Sequence, residues 1–63
     1  MTVTEVKERV EAIRLAARTD DEAAHASEDT LHQDVLRHFA GLGHELAAEA
    51  LKTNDIEFAR WCA

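Results

Sequence analysis

The chain has 63 residues, a formal net charge of −6 and a single cysteine. This length allows at most one domain, residues 1–63, which buries only about 60% of its unfolded surface; a folded monomer is possible, but we expect help from a partner chain. One cysteine excludes an intramolecular disulfide and a cysteine-based zinc site within one chain, and it favours a reducing, cytoplasmic location. The excess of carboxylates argues against direct nucleic-acid binding, because that needs basic groups facing the phosphates.

The composition favours helices and argues against a membrane protein. Proline is absent and alanine is abundant, so the helical hydrogen-bond ladder is uninterrupted and little side-chain entropy is lost. No stretch approaches the roughly 18 consecutive apolar residues of a membrane span, and the first residues are charged and amphipathic, unlike a signal peptide. The sequence therefore predicts an all-α protein that is neither secreted nor inserted into a membrane.

The first predicted helix starts at Thr2 or Thr4 and carries a narrow, heptad-like row of apolar residues. This row consists of Val3, Val6, Val10, Ile13 and Ala17. Leu15 points directly away from it. A single exposed leucine is ordinary, but it also offers a second contact surface, so Leu15 is a candidate partner-interface residue.

The second predicted helix is the longest element, capped within residues 19–21 and continuing to about Phe39 or Ala40. Gly41 and Gly43 bracket its end, where glycine readily accepts the left-handed conformation that closes a helix. A short polar link joins it to the first helix, so the two should form an antiparallel hairpin.

The central helix changes character along its length on a helical wheel. Leu31, Val35 and Phe39 share an arc that we expect to face the first helix. Glu28 falls within the same arc, with His25 and His32 beside it, so this packing would draw Glu28 towards the interior edge of the core.

Four ionisable side chains on the central helix form a candidate metal site. His25, Glu28, Asp29 and His32 are spaced i, i+3, i+4 and i+7, so their imidazoles and carboxylates lie on one face and could converge on one ion. A single chain would supply too few ligands, so this hypothesis requires a homodimer that brings two central helices together. The alternative is a polar rim in which these side chains pair across a helical turn.

Residues 44–52 predict a third, shorter helix. Its packing face carries Leu46, Ala47, Ala50 and Leu51. Asp55 can cap a short C-terminal helix over residues 56–63, although the alternating pattern there also suits an extended segment; we predict the helix. Phe58 and Trp61 would share a face of it, either closing the open end of the bundle or contacting a partner, and both are candidate interface residues.

No motif of known chemistry is complete. His44-Glu45 begins like the helix of zinc proteases, but Ala48 stands where the second histidine is required. The pair Gly41 and Gly43 is not followed by the lysine of a phosphate-binding loop. Cys62 is interpreted as a structural or incidental thiol. We therefore expect no catalytic and no cofactor-binding residues.

Several runs of residues resemble small uncharacterised proteins of actinobacteria and their bacteriophages. These are Ala24-His25, Glu28-Asp29-x-Leu31, and the runs at 34–37, 50–53 and 58–63. The resemblance implies a cytoplasmic location and a phage or prophage origin, but no catalytic residues. By analogy with small phage proteins, it also implies binding to a host or phage protein.

The sequence thus predicts a small three-helix bundle, an antiparallel hairpin plus a shorter third helix, followed by a short C-terminal helix. Our leading functional hypothesis is a non-enzymatic, acidic interaction module that binds a protein partner or self-associates as a homodimer. One alternative is the metal-binding homodimer described above. Another is an acidic mimic of nucleic acid, which would compete with DNA for a basic protein.

Overall fold

The chain folds into three α-helices followed by a short 3-10 helix. The computed structural model describes residues 1–60, and within them no strand is present. The elements are α1 (Val3–Ala16), α2 (Asp21–Gly41), α3 (Glu45–Leu51) and a 3-10 helix over Lys52–Asp55. The predicted all-α, three-helix fold is confirmed.

Side-chain caps mark the starts of the first two helices, and they show which of the predicted capping residues is used. The Thr2 hydroxyl accepts a hydrogen bond from the Glu5 N–H at 3.2 Å, and the Asp20 carboxylate accepts one from the Ala23 N–H at 3.0 Å. Each cap satisfies an N–H group that has no partner within its helix. The three-residue turn 17–19 between the two helices is tight enough to make them a hairpin.

A Schellman motif ends α2. Gly43 has φ 89°, the left-handed conformation expected at this position. Its N–H donates to the Ala40 carbonyl at 3.0 Å, and the His44 N–H donates to the Phe39 carbonyl at 3.1 Å. These two bonds define the motif, satisfy carbonyls at the helix end and turn the chain into α3.

The three helices form a single layer with α2 in the middle. Both α1 and α3 pack against α2, yet no Cα of α1 lies within 8 Å of a Cα of α3, and both helices are described in full. The principal extents are 37 × 33 × 10 Å, so the layer is about one helix diameter thick. The radius of gyration is 13.2 Å, compared with about 11 Å for a compact domain of this length.

The core is correspondingly small. In the part of the chain that the structure describes, the buried hydrophobic residues are Ala24, Leu31 and Ala47. The inward position of Leu31, which is 6% exposed, is as expected, and Val35 is half-buried. The inward position expected for Phe39 is wrong, because 43% of this residue is exposed. The reason is that α1 and α3 flank α2 on opposite sides and leave the side with Phe39 uncovered.

The contact row of α1 differs from the predicted one. Val3 is 72% exposed, and Val10 and Ala17 are also exposed. The half-buried residues of α1 are Val6, Arg9, Ile13 and Ala16. The helix is therefore rotated relative to the predicted row, and this rotation brings the Arg9 guanidinium within 2.9 Å of the Asp34 carboxylate on α2. The aliphatic stem of an arginine covers apolar surface while its charged end stays in water, so Arg9 can replace an apolar contact.

The packing face predicted for α3 is only partly correct, and the terminal helical piece comes earlier than predicted. Ala47 is buried, but Leu46 is 88% exposed. The 3-10 helix occupies Lys52–Asp55, and residues 57–60 are not helical. The Arg60 guanidinium donates to the Thr53 carbonyl at 2.8 Å and to the Ile56 carbonyl at 3.1 Å, which ties a non-helical segment back to the 3-10 helix.

Candidate interaction surface

One face of the helical layer carries a connected polar network. Arg9 Nη1 lies 2.9 Å from Asp34 Oδ2, and Arg37 Nη1 lies 3.5 Å from Asp34 Oδ1. Arg37 Nη2 also donates to Gln33 Oε1 at 3.1 Å. The side-chain amides of Gln33 and Asn54 then exchange two hydrogen bonds, both of 3.1 Å. The network therefore runs from α1 across α2 to the 3-10 helix.

This network orients the helices more than it stabilises them. The side chains of Arg9 and Asp34 are each 34% exposed, so water screens their attraction, and pairs of this kind contribute about 1 kcal/mol or less. The network contains two guanidinium groups and one carboxylate, so it keeps one net positive charge, and its side chains pair with one another. A face of this kind suits contact with water.

The opposite face is apolar. A groove of about 240 Å³ between α1 and α2 is lined mainly by Met1, Val3, Val6, Val35, His38 and Phe39. A groove of about 350 Å³ between α2 and α3 is lined by Leu36, Phe39, His44, Leu46 and Ala47. Because Phe39 belongs to both grooves, they lie on the same side of the layer. We call the surface formed by these two sets of residues the apolar face.

The positions of Arg37 and Phe39 show that the two faces are opposed. They are two residues apart on α2, so their side chains point about 160° apart around the helix axis. Arg37 belongs to the polar network and Phe39 to both grooves. The layer is therefore amphipathic around the C-terminal half of α2.

Phe39 is held at the centre of the apolar face by two histidines. Its ring meets the His38 ring at a centroid distance of 5.5 Å and the His44 ring at 5.3 Å, both edge to face. Edge-to-face contacts of this kind are favourable because the ring edge is positive and the ring face negative. The contact with His44 is also the side-chain contact that accompanies a Schellman motif.

The predicted metal ligands do not converge within one chain. His25 is half-buried, and its Nε2 atom lies 3.5 Å from Asp29 Oδ2 across one helical turn. Glu28 and His32 are exposed. Over residues 1–60, no three His, Cys, Asp or Glu side chains are grouped so that they could hold a metal ion. The metal hypothesis required a homodimer, so it stays a prediction.

The expected inward position of Glu28 is wrong. This carboxylate is exposed, although Leu31 in the same arc is buried. The arc of α2 that contains Leu31 and Phe39 is covered only at the edge that faces α1. Glu28 points in the same direction as Phe39, towards the side that no helix covers. The pairing of His25 with Asp29 matches the polar rim that the sequence offered as an alternative.

The candidate interface residues have different outcomes. Leu15 is 52% exposed, as its position opposite the packing row requires. Phe58 is also exposed, and the Arg60 guanidinium lies 3.8 Å from the centre of its ring, so it does not close the end of the helical layer. Trp61 and Cys62 lie outside the described residues. The role of Leu15, Phe58 and Trp61 in binding stays a prediction.

Two functional features were missed at the level of sequence. The first is the apolar face, because Phe39 and Leu46 were assigned to packing inside the chain. The second is the network from Arg9 to Asn54. A signal for it was present: Gln33 and Arg37 are four apart, and Asp34 lies beside them on the arc of α2 away from Phe39. The distant partners Arg9 and Asn54 left no periodic signal.

None of the helices within residues 1–60 combines the length and the apolar character that crossing a membrane requires. No family model matches the sequence, and comparisons with curated proteins and with solved structures give no match. The resemblance to proteins of actinobacteria and their phages stays a prediction.

Proposed function

We propose that this chain is a non-enzymatic protein-interaction module whose contact surface is the apolar face. The observation that carries the proposal is the mismatch between its small core and its exposed apolar residues. Three hydrophobic residues are buried within residues 1–60, two of them alanines, while Phe39, Leu46 and Val3 are exposed on one side. Large apolar surfaces that a folded protein leaves in water commonly mark binding sites.

The free energy gained by burying apolar side chains supports the binding of a protein partner to the apolar face. Covering a leucine, valine or phenylalanine side chain contributes about 1.5–3 kcal/mol, and the apolar face offers several such side chains. Domains normally consist of two packed layers around one core, whereas this chain supplies one. A protein partner that covers the apolar face would provide the second layer.

Photo-crosslinking in cells tests this function directly. A benzophenone amino acid at position 46 would place the reactive group on the apolar face, because Leu46 is 88% exposed and lines the groove between α2 and α3. The matched control is position 48 on the same helix. Ala48 is exposed and points about 160° away from Leu46.

We expect discrete protein adducts from position 46 and none from position 48. This difference would locate binding on the apolar face of α3. Absence of any protein adduct from position 46, or equal adduct yields from both positions, would contradict the proposed function.

A further inference from the structure

We infer that the occupant of the apolar face is a second copy of this chain, so that two layers pack face to face around a shared core. This inference rests on the proposed function and names its partner.

The broad side of the layer that carries the apolar face is large enough for a stable dimer. The chain exposes 5128 Å², compared with roughly 4,000 Å² for a compact monomer of this mass. The broad side of the layer measures 37 × 33 Å, and a standard interface buries about 800 Å² per partner. One broad side is therefore large enough to form such an interface.

The shape of the face favours another layer over a single peptide helix. The two grooves lie on either side of the Phe39 ring, one against α1 and the other against α3. A single helix, about 10 Å in diameter, would fill one groove and leave the other in water. A second copy has the same breadth of 33 Å and covers both grooves at once.

Self-pairing also fits the symmetry of small assemblies. A two-fold dimer places the same patch of each copy against the other. Phe39 lies between the two grooves, so it would lie close to the two-fold axis. Leu46, the most exposed large hydrophobic residue in the described chain, would then be covered by the facing copy instead of staying 88% exposed.

The net charge of −6 does not prevent two copies from approaching through this face. On α1, Glu5 and Glu8 point more than about 100° away from the stripe of Val3, Val6 and Val10. The charged side chains nearest to that stripe on α1 are basic, Lys7 and Arg14. Glu5 and Glu8 therefore stay in water. On α2, Glu28 points to the same side as Phe39, but it lies 11 residues earlier in the helix, about 16 Å along its axis, and lines neither groove.

The test is the mass of the purified full chain in solution, measured by sedimentation equilibrium over a range of concentrations. We expect a dimer of twice the 7.0 kDa monomer mass and a melting temperature that rises with protein concentration, because association stabilises the folded state. A chain that stays monomeric and folded at every concentration would overturn the inference.

Two matched variants locate the dimer interface. Leu46→Glu changes a side chain that is almost fully exposed in the single chain, so it should leave the fold of each copy intact. It should weaken dimerisation by roughly tenfold or more, because a carboxylate would be buried in an apolar contact. Ala48→Glu, on the opposite side of α3, should leave the dimer unchanged.

The results separate the inference from the proposed function. A dimer that Leu46→Glu does not weaken, or that Ala48→Glu weakens equally, would place the interface elsewhere and overturn the inference. If position 46 crosslinks in cells to a different protein while the purified chain is monomeric, the inference of a dimer is wrong. The proposed function as a protein-interaction module is then still supported. If position 46 crosslinks to nothing, both fail.

Discussion

Phe39 and His44 are joined twice, once through the backbone and once through their rings. The His44 N–H donates to the Phe39 carbonyl at 3.1 Å, and the two rings meet edge to face with centroids 5.3 Å apart. The residue that receives the closing bond of α2 is thus also the centre of the apolar face. The end of the helix and the geometry of the interaction surface are therefore coupled.

The glycine that permits this arrangement should be intolerant of substitution. Gly43 has φ 89°, and a Cβ atom added there would meet nothing within 4 Å, so the cost of Gly43→Ala is purely conformational. We expect a loss of about 1–2 kcal/mol in the free energy of unfolding. Gly41 is the control, because it is helical and also has open space around it.

For Gly41→Ala we expect no loss and a gain of up to about 1 kcal/mol, since alanine restricts the unfolded chain. Urea denaturation of both variants at one protein concentration measures the difference. Equal effects of the two substitutions would contradict the role assigned to the Schellman motif.

Leu31 should be the most sensitive apolar position of α2. It is the largest of the three buried hydrophobic residues in the described chain, so Leu31→Ala should cost about 2–5 kcal/mol through lost burial and the cavity left behind. This approaches the whole stability of a small domain, and we expect the circular dichroism of helices to be largely lost.

Leu15→Ala is the matched comparison for Leu31→Ala, because Leu15 is 52% exposed on α1. We expect a change within about 0.5 kcal/mol. A loss at Leu15 as large as that at Leu31 would show that Leu15 is buried by a partner, as the sequence suggested.

The ion pair between Arg9 and Asp34 should show measurable coupling. A double-mutant cycle with Arg9→Met and Asp34→Asn isolates the interaction, and we expect about 0.5–1 kcal/mol that decreases with added salt. The control is the pair of Glu49 and Lys52, whose side chains are each 69% exposed. No coupling for Arg9 and Asp34, or equal coupling for both pairs, would contradict the role of the polar network in orienting α1.

Arg60 should hold the segment after the 3-10 helix in place. Its guanidinium donates to the carbonyls of Thr53 and Ile56 and lies over the Phe58 ring. Arg60→Ala removes all three contacts, so we expect chymotrypsin to cleave after Phe58 several times faster. Arg18→Ala, in the turn between α1 and α2, is the control, and an unchanged rate for Arg60→Ala would show that these contacts do not order the segment.

The sequence predicted the elements of the fold well, because their signals are local. Thr2 and Asp20 are strong capping residues, and Gly43 is suited to a left-handed position. The burial of Leu31 followed from the period of α2. These features depend on the backbone and on neighbours within one helical turn.

The surfaces could not be predicted, because they depend on where the helices lie relative to one another. The helical wheel assumed that the whole arc from Leu31 to Phe39 faces other helices of the chain. Only the edge of this arc faces another helix, because α1 and α3 flank α2 without covering Phe39 or Glu28. The arrangement of three helices in one layer leaves no periodic signal. For the same reason, the contact of Arg9 with Asp34 was not foreseen.

The layer that is one helix thick has a consequence for the amount of protein in a cell. If a second molecule covers the apolar face, an unpaired copy is less stable than a paired one and unfolds more often. When the concentration of the chain is below the dissociation constant of the dimer, most copies are monomers and are open to proteases. When the concentration is above it, most copies are dimers and are protected. The lifetime of such a protein would rise with its concentration, so an increase in synthesis would raise its abundance more than proportionally.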